Sequence, residues 1–390
     1  MQAIITLKKN EERRIAAGHL WAFSNEIREI TGEPQGGDIV ELRSSSGKSL
    51  GIGFYNPHSL IAVRVLSREP EEIDFEFFRK RIENAASLRK TLYHASTCYR
   101  LVHGESDLLP GLIIDRYDDR FAVQTLSFGM DRRMTTILDV LESLFHPKGI
   151  IERNEVHTRS LEGLEQKKGI LRGEAGPVVI TEHGIRYAID LLEGQKTGFF
   201  LDQRENRKAI RRYAAGAKVL DLFTNEGGFA LNAASEGALE VTGVDISETA
   251  VEHARANASL NSLEKNTEFI AGDAFAYMEA AAVKDRKFDL IILDPPSFTK
   301  SRKNVTQAKQ GYRELHTSAL KVLSSGGILA TSSCSHHVLE ETFLSIITNC
   351  AVSARKNIRL LDWRGAAPDH PVLPPMPETR YLKFGIFRID

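Results

Sequence analysis

A chain of 390 residues, 42% hydrophobic and 26% charged, has the composition of an ordinary folded protein of two or three domains. Its formal net charge of −1 hides no basic domain: 9 basic side chains face 10 acidic over 1–72, 16 face 16 over 73–180, and 26 face 26 over 181–390. No apolar run approaches the roughly 18 residues of a membrane span and the charged N-terminus has no leader-like core, while three scattered cysteines without a C-x-x-C pair argue against a disulfide framework or a zinc site and for a reducing, cytoplasmic setting.

The N-terminal part consists of short alternating runs broken by turns. A helix is predicted near Asn10–Ala17, then strands at Ile39–Arg43, Ser49–Tyr55 and Ile61–Leu66, separated by "SSSGK" and "NPHS". The polar, proline-bearing "SREPEEIDFE" closes this small β-rich domain. Residues 73–95 read as a helix, with Phe75, Phe78, Ile82, Ala85 and Leu88 at helical spacing. Strands in "GLIIDRY" and "FAVQTLS", a helix over 132–144 and the strand "GIIERN" complete an α+β middle domain. A hairpin in "GPVVITEHGIRYAIDL" leads onward, which sets the expected domains at 1–72, 73–180 and 181–390.

In the third segment strands alternate with helices. "AKVLDLF", "LEVTGVDIS", "TEFIAGDAF", "FDLIILDPP" and "GGILATSSCS" are near-continuous apolar strands. "GGFALNAASEG", "ETAVEHARANASLN" and "QGYRELHTSALKVL" are the intervening helices. This rhythm predicts an α/β, doubly wound, Rossmann-like parallel sheet. The last run, "YLKFGIFRI", is expected to add an antiparallel strand at one edge.

Ligands of such sheets bind where the carboxyl ends of the strands meet the following turns. Four strand ends here carry an acid. Asp221 opens "DLFTNEGGF", where Gly227 and Gly228 let backbone approach a ligand at a helix start. Thr224 and Asn225 break the dinucleotide G-x-G-x-x-G pattern. Asp245 lies 24 residues after Asp221, a place suited to both ribose hydroxyls. Asp273, before Ala274, suits an adenine amino group, and Asp294 opens "DPPSF". Each acid alone could be a helix cap. Four in succession beside a Gly-Gly turn point to a nucleoside-containing ligand.

The stretches "YRLVHGESDLLPGLIIDRY" (99–117), "KTGFFLDQRENR" (196–207), "VLDLFTNEGGFAL" (219–231), "LDPPSFTKS" (293–301) and "SSCS" (332–335) together resemble the RlmI-type 23S rRNA cytosine-5 methyltransferase family. The resemblance implies an N-terminal PUA-like RNA-binding domain, a middle α+β domain and a class I methyltransferase domain using S-adenosylmethionine. It implies that Gln203, Asp221, Phe223, Thr224, Asn225, Gly227, Gly228, Asp245, Ile246, Asp273, Ala274 and Asp294 hold the donor. It also implies 23S rRNA or a large-subunit precursor as partner, and Pro295, Pro296, Ser297 and Phe298, with the basic Lys300, Arg302 and Arg313 that follow, are expected to meet the RNA.

Carbon 5 of cytosine is a poor nucleophile, so its methylation calls for a thiolate that adds to carbon 6. Cys334 answers that need, in a polar turn after an apolar strand, and Asp294 could hold the base. Proline is followed by Ser297 where many such enzymes carry a second cysteine, so one thiol serves both attack and release. The base that removes the carbon-5 proton stays open between Asp294, His337 and water. Cys98 and Cys350 read as packed residues, and His336 and His337 as surface or capping residues. Two rival functions need no thiol: methylation of a nitrogen such as guanine N7, and noncatalytic RNA binding on the same scaffold. Arg204, Arg207, Lys208, Arg211 and Arg212 fit one basic helix face or an ordinary solvated one, and 299–313 reads as a basic loop for phosphates. Oligomeric state is not legible; a homodimer is one expectation.

Overall fold

The computed structural model describes residues 3–194, 197–298 and 304–390. They form two units. The first holds 1–180, 189–201 and 368–379; the second holds 181–188, 202–367 and 380–390.

The first unit contains two sheets. One has six strands in the order Trp21–Phe23, Ile61–Ser67, Ser49–Tyr55, Ile39–Arg43, Ile4–Leu7, Ile27–Thr31. The three strands expected here all form, and three short ones escape the reading because they span only three to five residues. Gly51 and Gly53 let two strands close tightly: a Cβ on Gly53 would meet the Arg64 carbonyl oxygen at 2.3 Å. The register shifts between Ile52 and Gly53 at that point.

The second sheet has the order Lys168–Gly173, Gly149–Arg153, Arg120–Thr125, Leu112–Tyr117, Cys98–His103. The helix Phe75–Leu92 is capped by Asp74, whose carboxylate accepts from Phe77 N at 3.0 Å, and buries Phe77, Phe78, Ile82 and Ala85. The segment 368–379 belongs to this unit because Arg89 donates to the Asp369 carbonyl at 2.7 Å and Arg100 N donates to its carboxylate at 2.9 Å.

The second unit is built on a seven-stranded sheet. Its strands are β1 (Lys218–Leu222), β2 (Glu240–Asp245), β3 (Thr267–Ala271), β4 (Phe288–Leu293), β5 (Leu323–Ser333), β6 (Ile358–Arg364) and β7 (Lys383–Ile389). The spatial order is β3-β2-β1-β4-β5-β7-β6. Strands β1 to β5 are parallel, and β7 runs antiparallel to both β5 and β6. The doubly wound α/β architecture is therefore as expected. One detail is corrected: β7 lies inside the sheet and β6 forms the edge. The sequence explains both places, since "KFGIFRI" is almost wholly buried whereas "IRLLDWR" exposes its middle.

Helices α1 (Gly228–Ser235), α2 (Glu248–Leu260), α3 (Ala274–Val283), α4 (Val305–Val322) and α5 (Glu340–Ser353) connect the strands. They seal a core that includes Leu220, Ile291, Leu293, Tyr312, Leu315, Leu329 and Phe343. Cys350 lies buried on α5, and burial pushes its thiol pKa up, as suits a packing residue.

The expected basic face over 202–213 is not there. Arg204 and Arg207 are buried against Glu182, with Arg207 Nε donating to Glu182 Oε1 at 2.7 Å and Nη2 to Oε2 at 2.7 Å. Burial alone would raise the Glu182 pKa, but Arg207 and Arg204 hold it below the ordinary carboxylate value. Arg211 donates to Asn232 Oδ1 at 2.7 Å. Arginine spacing on a helix does not distinguish an outward stripe from an inward one paired to a distant acid.

Candidate active site

The strand order reverses between β1 and β4, so the switch point of the sheet lies at their carboxyl ends. Asp221, on β1, is wholly buried. Its Oδ2 accepts from Thr224 Oγ1 at 2.6 Å and from Ala230 N at 2.9 Å, while its buried Oδ1 has no partner among the described residues. Burial raises its pKa to about 7, and the charges of Asp294 and Asp245 push the same way. Three of the four acids expected at strand ends thus act on one another.

Asp245 ends β2. One oxygen accepts from Asn225 N at 2.9 Å and the other from Ser247 N at 3.0 Å. The chain reaches this geometry through left-handed residues at Phe223, Asn225 and Gly227, with φ of 64°, 49° and 82°. A Cβ on Gly227 would meet the Phe269 ring at 3.2 Å and Ala254 at 3.3 Å, so glycine is required by both backbone and space. Gly228 begins α1, and Ile246, just past β2, is largely exposed.

Asp273 caps α3, accepting from Ala276 N at 2.9 Å, and Ala274 opens that helix. Asp273 is the acid for which the capping reading has direct support.

Register brings the other two strand ends together. Leu293 on β4 pairs with Thr331 on β5, which sets Asp294 beside Ser332. Asp294 Oδ1 accepts from Ser332 Oγ and from Gln203 Nε2, the latter at 3.0 Å; Gln203 in turn accepts from Asn206 at 2.6 Å. Cys334 follows β5 and is half-buried. Hydroxyls surround its turn. Ser335 Oγ lies 2.9 Å from Ser297 Oγ and 3.3 Å from the Tyr312 hydroxyl, and that hydroxyl donates to Ser333 Oγ at 2.9 Å. Ser297 therefore bridges the "DPPSF" turn to the "SSCS" turn.

Of the other residues expected to meet substrate, Pro295 is buried and Pro296 is exposed. The Phe298 ring sits edge-to-face on Tyr312 with centroids 4.7 Å apart, and Arg313 donates to Gln310 at 2.8 Å on α4. Lys300 and Arg302 lie outside the described residues. His336 is exposed and its ring lies 5.7 Å from that of Tyr381.

Sequence reasoning missed Tyr312 and Lys383 as neighbours of the turn that carries the thiol. Lys383 alone left a signal, a lysine among the apolar residues of "YLKFGIFRI".

Residues 5–68 match a PUA-like domain family, and residues 170–380 match the S-adenosylmethionine-dependent methyltransferase family. The chain is 39% identical over 389 residues to ribosomal RNA large subunit methyltransferase I of Aeromonas salmonicida, covering 98% of each chain. It is 38% identical to the protein of that name from Tolumonas auensis, again over 98% of each. Two solved structures share the fold over 100% of both chains at 24% identity: a Streptococcus mutans chain put forward as a SAM-dependent methyltransferase, with a TM-score of 0.85, and SMU.776, put forward as a methyltransferase and solved with SAH, with a TM-score of 0.86. The chain belongs to the ribosomal RNA large subunit methyltransferase I family, a PUA-like domain joined to an S-adenosylmethionine-dependent methyltransferase domain.

Proposed function

We propose that this enzyme methylates carbon 5 of a cytosine in 23S rRNA, as free RNA or in a large-subunit precursor, through a covalent adduct to Cys334. The observation that carries the reading is the pairing of two strand ends: Asp294 accepts from Ser332, two residues before a half-buried thiol. The names of the relatives support rRNA as the substrate class. The PUA-like match supports a role for residues 1–72 in RNA affinity, within a three-part organisation divided near 72 and 180.

The residues at the ends of β1 and β2 suit the donor. The partnerless buried Oδ1 of Asp221 is an acceptor awaiting a cationic or N–H group, and Asp245 is fixed by two backbone donors for a diol. Gln203, Phe223, Thr224, Asn225, Gly227, Gly228, Ile246, Asp273, Ala274 and Asp294 complete the proposed donor set. When bound, S-adenosylmethionine supplies a methyl group on a positively charged sulfur.

Cys334, as thiolate, adds to carbon 6 of the cytosine. The carbon 5–carbon 6 electron pair shifts and makes carbon 5 nucleophilic. After carbon 5 is methylated, a base removes its proton, the double bond re-forms and the thiolate leaves. Asp294, steadied by Gln203 and Ser332, faces the exocyclic amine and ring nitrogen of a base turned out of its stack and accepts from the amine. Pro295, Pro296, Ser297 and Phe298 border that base, with Lys300, Arg302 and Arg313 toward the phosphates.

Large-subunit rRNA carrying tritium at carbon 5 of cytosine tests the reading. Methylation there must release tritium in step with methyl incorporation. Incorporation without release would exclude carbon 5 of cytosine and favour the nitrogen reading, and neither would favour noncatalytic RNA binding.

A further inference from the structure

Tyr312 is a fully buried tyrosine on α4 that the carbon-5 mechanism does not use. Its ring and its hydroxyl face different turns. The ring meets Phe298 of the "DPPSF" turn edge-to-face, with centroids 4.7 Å apart. The hydroxyl donates to Ser333 Oγ at 2.9 Å and lies 3.3 Å from Ser335 Oγ, so it touches the residues on both sides of Cys334. Ser335 Oγ in turn lies 2.9 Å from Ser297 Oγ, back in the "DPPSF" turn. One side chain on a third element thus joins the turn that carries the thiol to the turn that carries Asp294.

The Tyr312 hydroxyl has one hydrogen, and Ser333 receives it. Ser335 is then the donor to Tyr312 and accepts from Ser297, which gives a head-to-tail chain of hydroxyls, Ser297–Ser335–Tyr312–Ser333. Burial pushes the Tyr312 pKa up to about 12, so the donor keeps its proton throughout the neutral range. The helix is tied down one turn further on. His316 is buried, with Nδ1 2.6 Å from the Tyr312 carbonyl oxygen and Nε2 3.0 Å from Thr331 Oγ1 on β5. A carbonyl can only accept, so Nδ1 carries the hydrogen and Nε2 accepts from the threonine. Burial lowers the His316 pKa to about 4 and keeps that ring neutral.

We propose that Tyr312 is a positioning residue for methylation: by seating Phe298 with its ring and fixing Ser333 and Ser335 with its hydroxyl, it sets the reach from the thiol to a base that faces Asp294. This role rests on Cys334 as nucleophile, the reading given under the proposed function. Wholly buried, Tyr312 offers no surface to donor or RNA. Its hydroxyl therefore acts through the two turns, and its loss slows attack on the ring while leaving donor binding in place.

The test is single-turnover adduct formation by the full chain on 23S rRNA transcribed with 5-fluorocytidine, with S-adenosylmethionine at saturation. Tyr312→Phe, which keeps the ring, and Ser335→Ala, which breaks the bridge to Ser297, should each lower the rate constant by about three- to tenfold, the worth of one hydrogen bond. The final trapped fraction and the donor affinity should stay within about twofold of wild type. The double variant should lose less than the product of the two, as members of one chain do. A site that had merely become less stable would trap less protein at the wild-type rate constant. A wild-type rate constant in Tyr312→Phe overturns the proposal, as does a fall matched by weaker donor binding, or losses that multiply in the double variant. If wild type traps no adduct, the nucleophile reading falls instead. Single-turnover methyl incorporation then reads the same comparison, and an unchanged rate in Tyr312→Phe overturns the proposal there too.

Discussion

The two halves of the catalytic sheet hold their acids by different means. At the ends of β1 and β2, backbone N–H groups of Ala230, Asn225 and Ser247, together with the Thr224 hydroxyl three residues past Asp221, grip Asp221 and Asp245. At the ends of β4 and β5, side chains from distant segments do the work: Gln203, Ser332, Tyr312 and Lys383. Such clamps need only a short motif and its glycines, so the half proposed to hold the donor is local. The thiol half is assembled by sheet register and depends on residues far apart in the chain. Changes at Asp221 and Asp245 in the first half should act on donor binding, and changes at Cys334 in the second on chemistry.

The largest separation is expected from Cys334→Ala. Methylation should fall below detection while calorimetry shows donor affinity nearly unchanged, since the thiol belongs to the β5 end. Asp245→Ala should do the reverse, costing donor affinity by about 1.5–3 kcal/mol, the range for a hydrogen bond to a charged group. Adduct formation at Cys334 should survive in that variant when the donor is supplied at saturation.

A third effect is pH-dependent and confined to the β1 end. Asp221, with a pKa raised to about 7, is mostly protonated at pH 6 and mostly ionised at pH 8. A cationic donor favours the ionised form, so affinity should rise with pH across this window, by up to about tenfold. Asp221→Asn should flatten the profile; an unchanged slope would remove Asp221 from the donor's surroundings. The smallest effect is expected from Tyr312→Phe, which removes the hydroxyl that donates to Ser333 and lies 3.3 Å from Ser335 Oγ. It should cost about 0.5–1.5 kcal/mol in denaturant unfolding, with donor affinity unmoved.

This contrast also explains what was legible beforehand. Gly227 and the acids at the strand ends announce themselves because their constraints lie within a few residues of each other. The alternation of apolar strands with helices discloses the parallel sheet for the same reason. Arg207 was misleading because its partner Glu182 lies 25 residues earlier, on a hairpin, and helical spacing carries no sign of it. Residues 368–379 pack with the N-terminal unit through Asp369, whose contacts with Arg89 and Arg100 span more than 260 residues. The edge position of β6 and the inner position of β7 turn on pairing order, which residue patterns leave open.

The central claim is that one thiol attacks the ring. rRNA carrying 5-fluorocytosine at the target tests it, because fluorine cannot leave as a proton and the adduct should persist. With the methyl donor present, wild type, Cys98→Ala and Cys350→Ala should each give a protein–RNA band that survives denaturing electrophoresis, and Cys334→Ala should give none. An equal band from Cys334→Ala would contradict the account, as would full methylation by wild type with no trapped adduct.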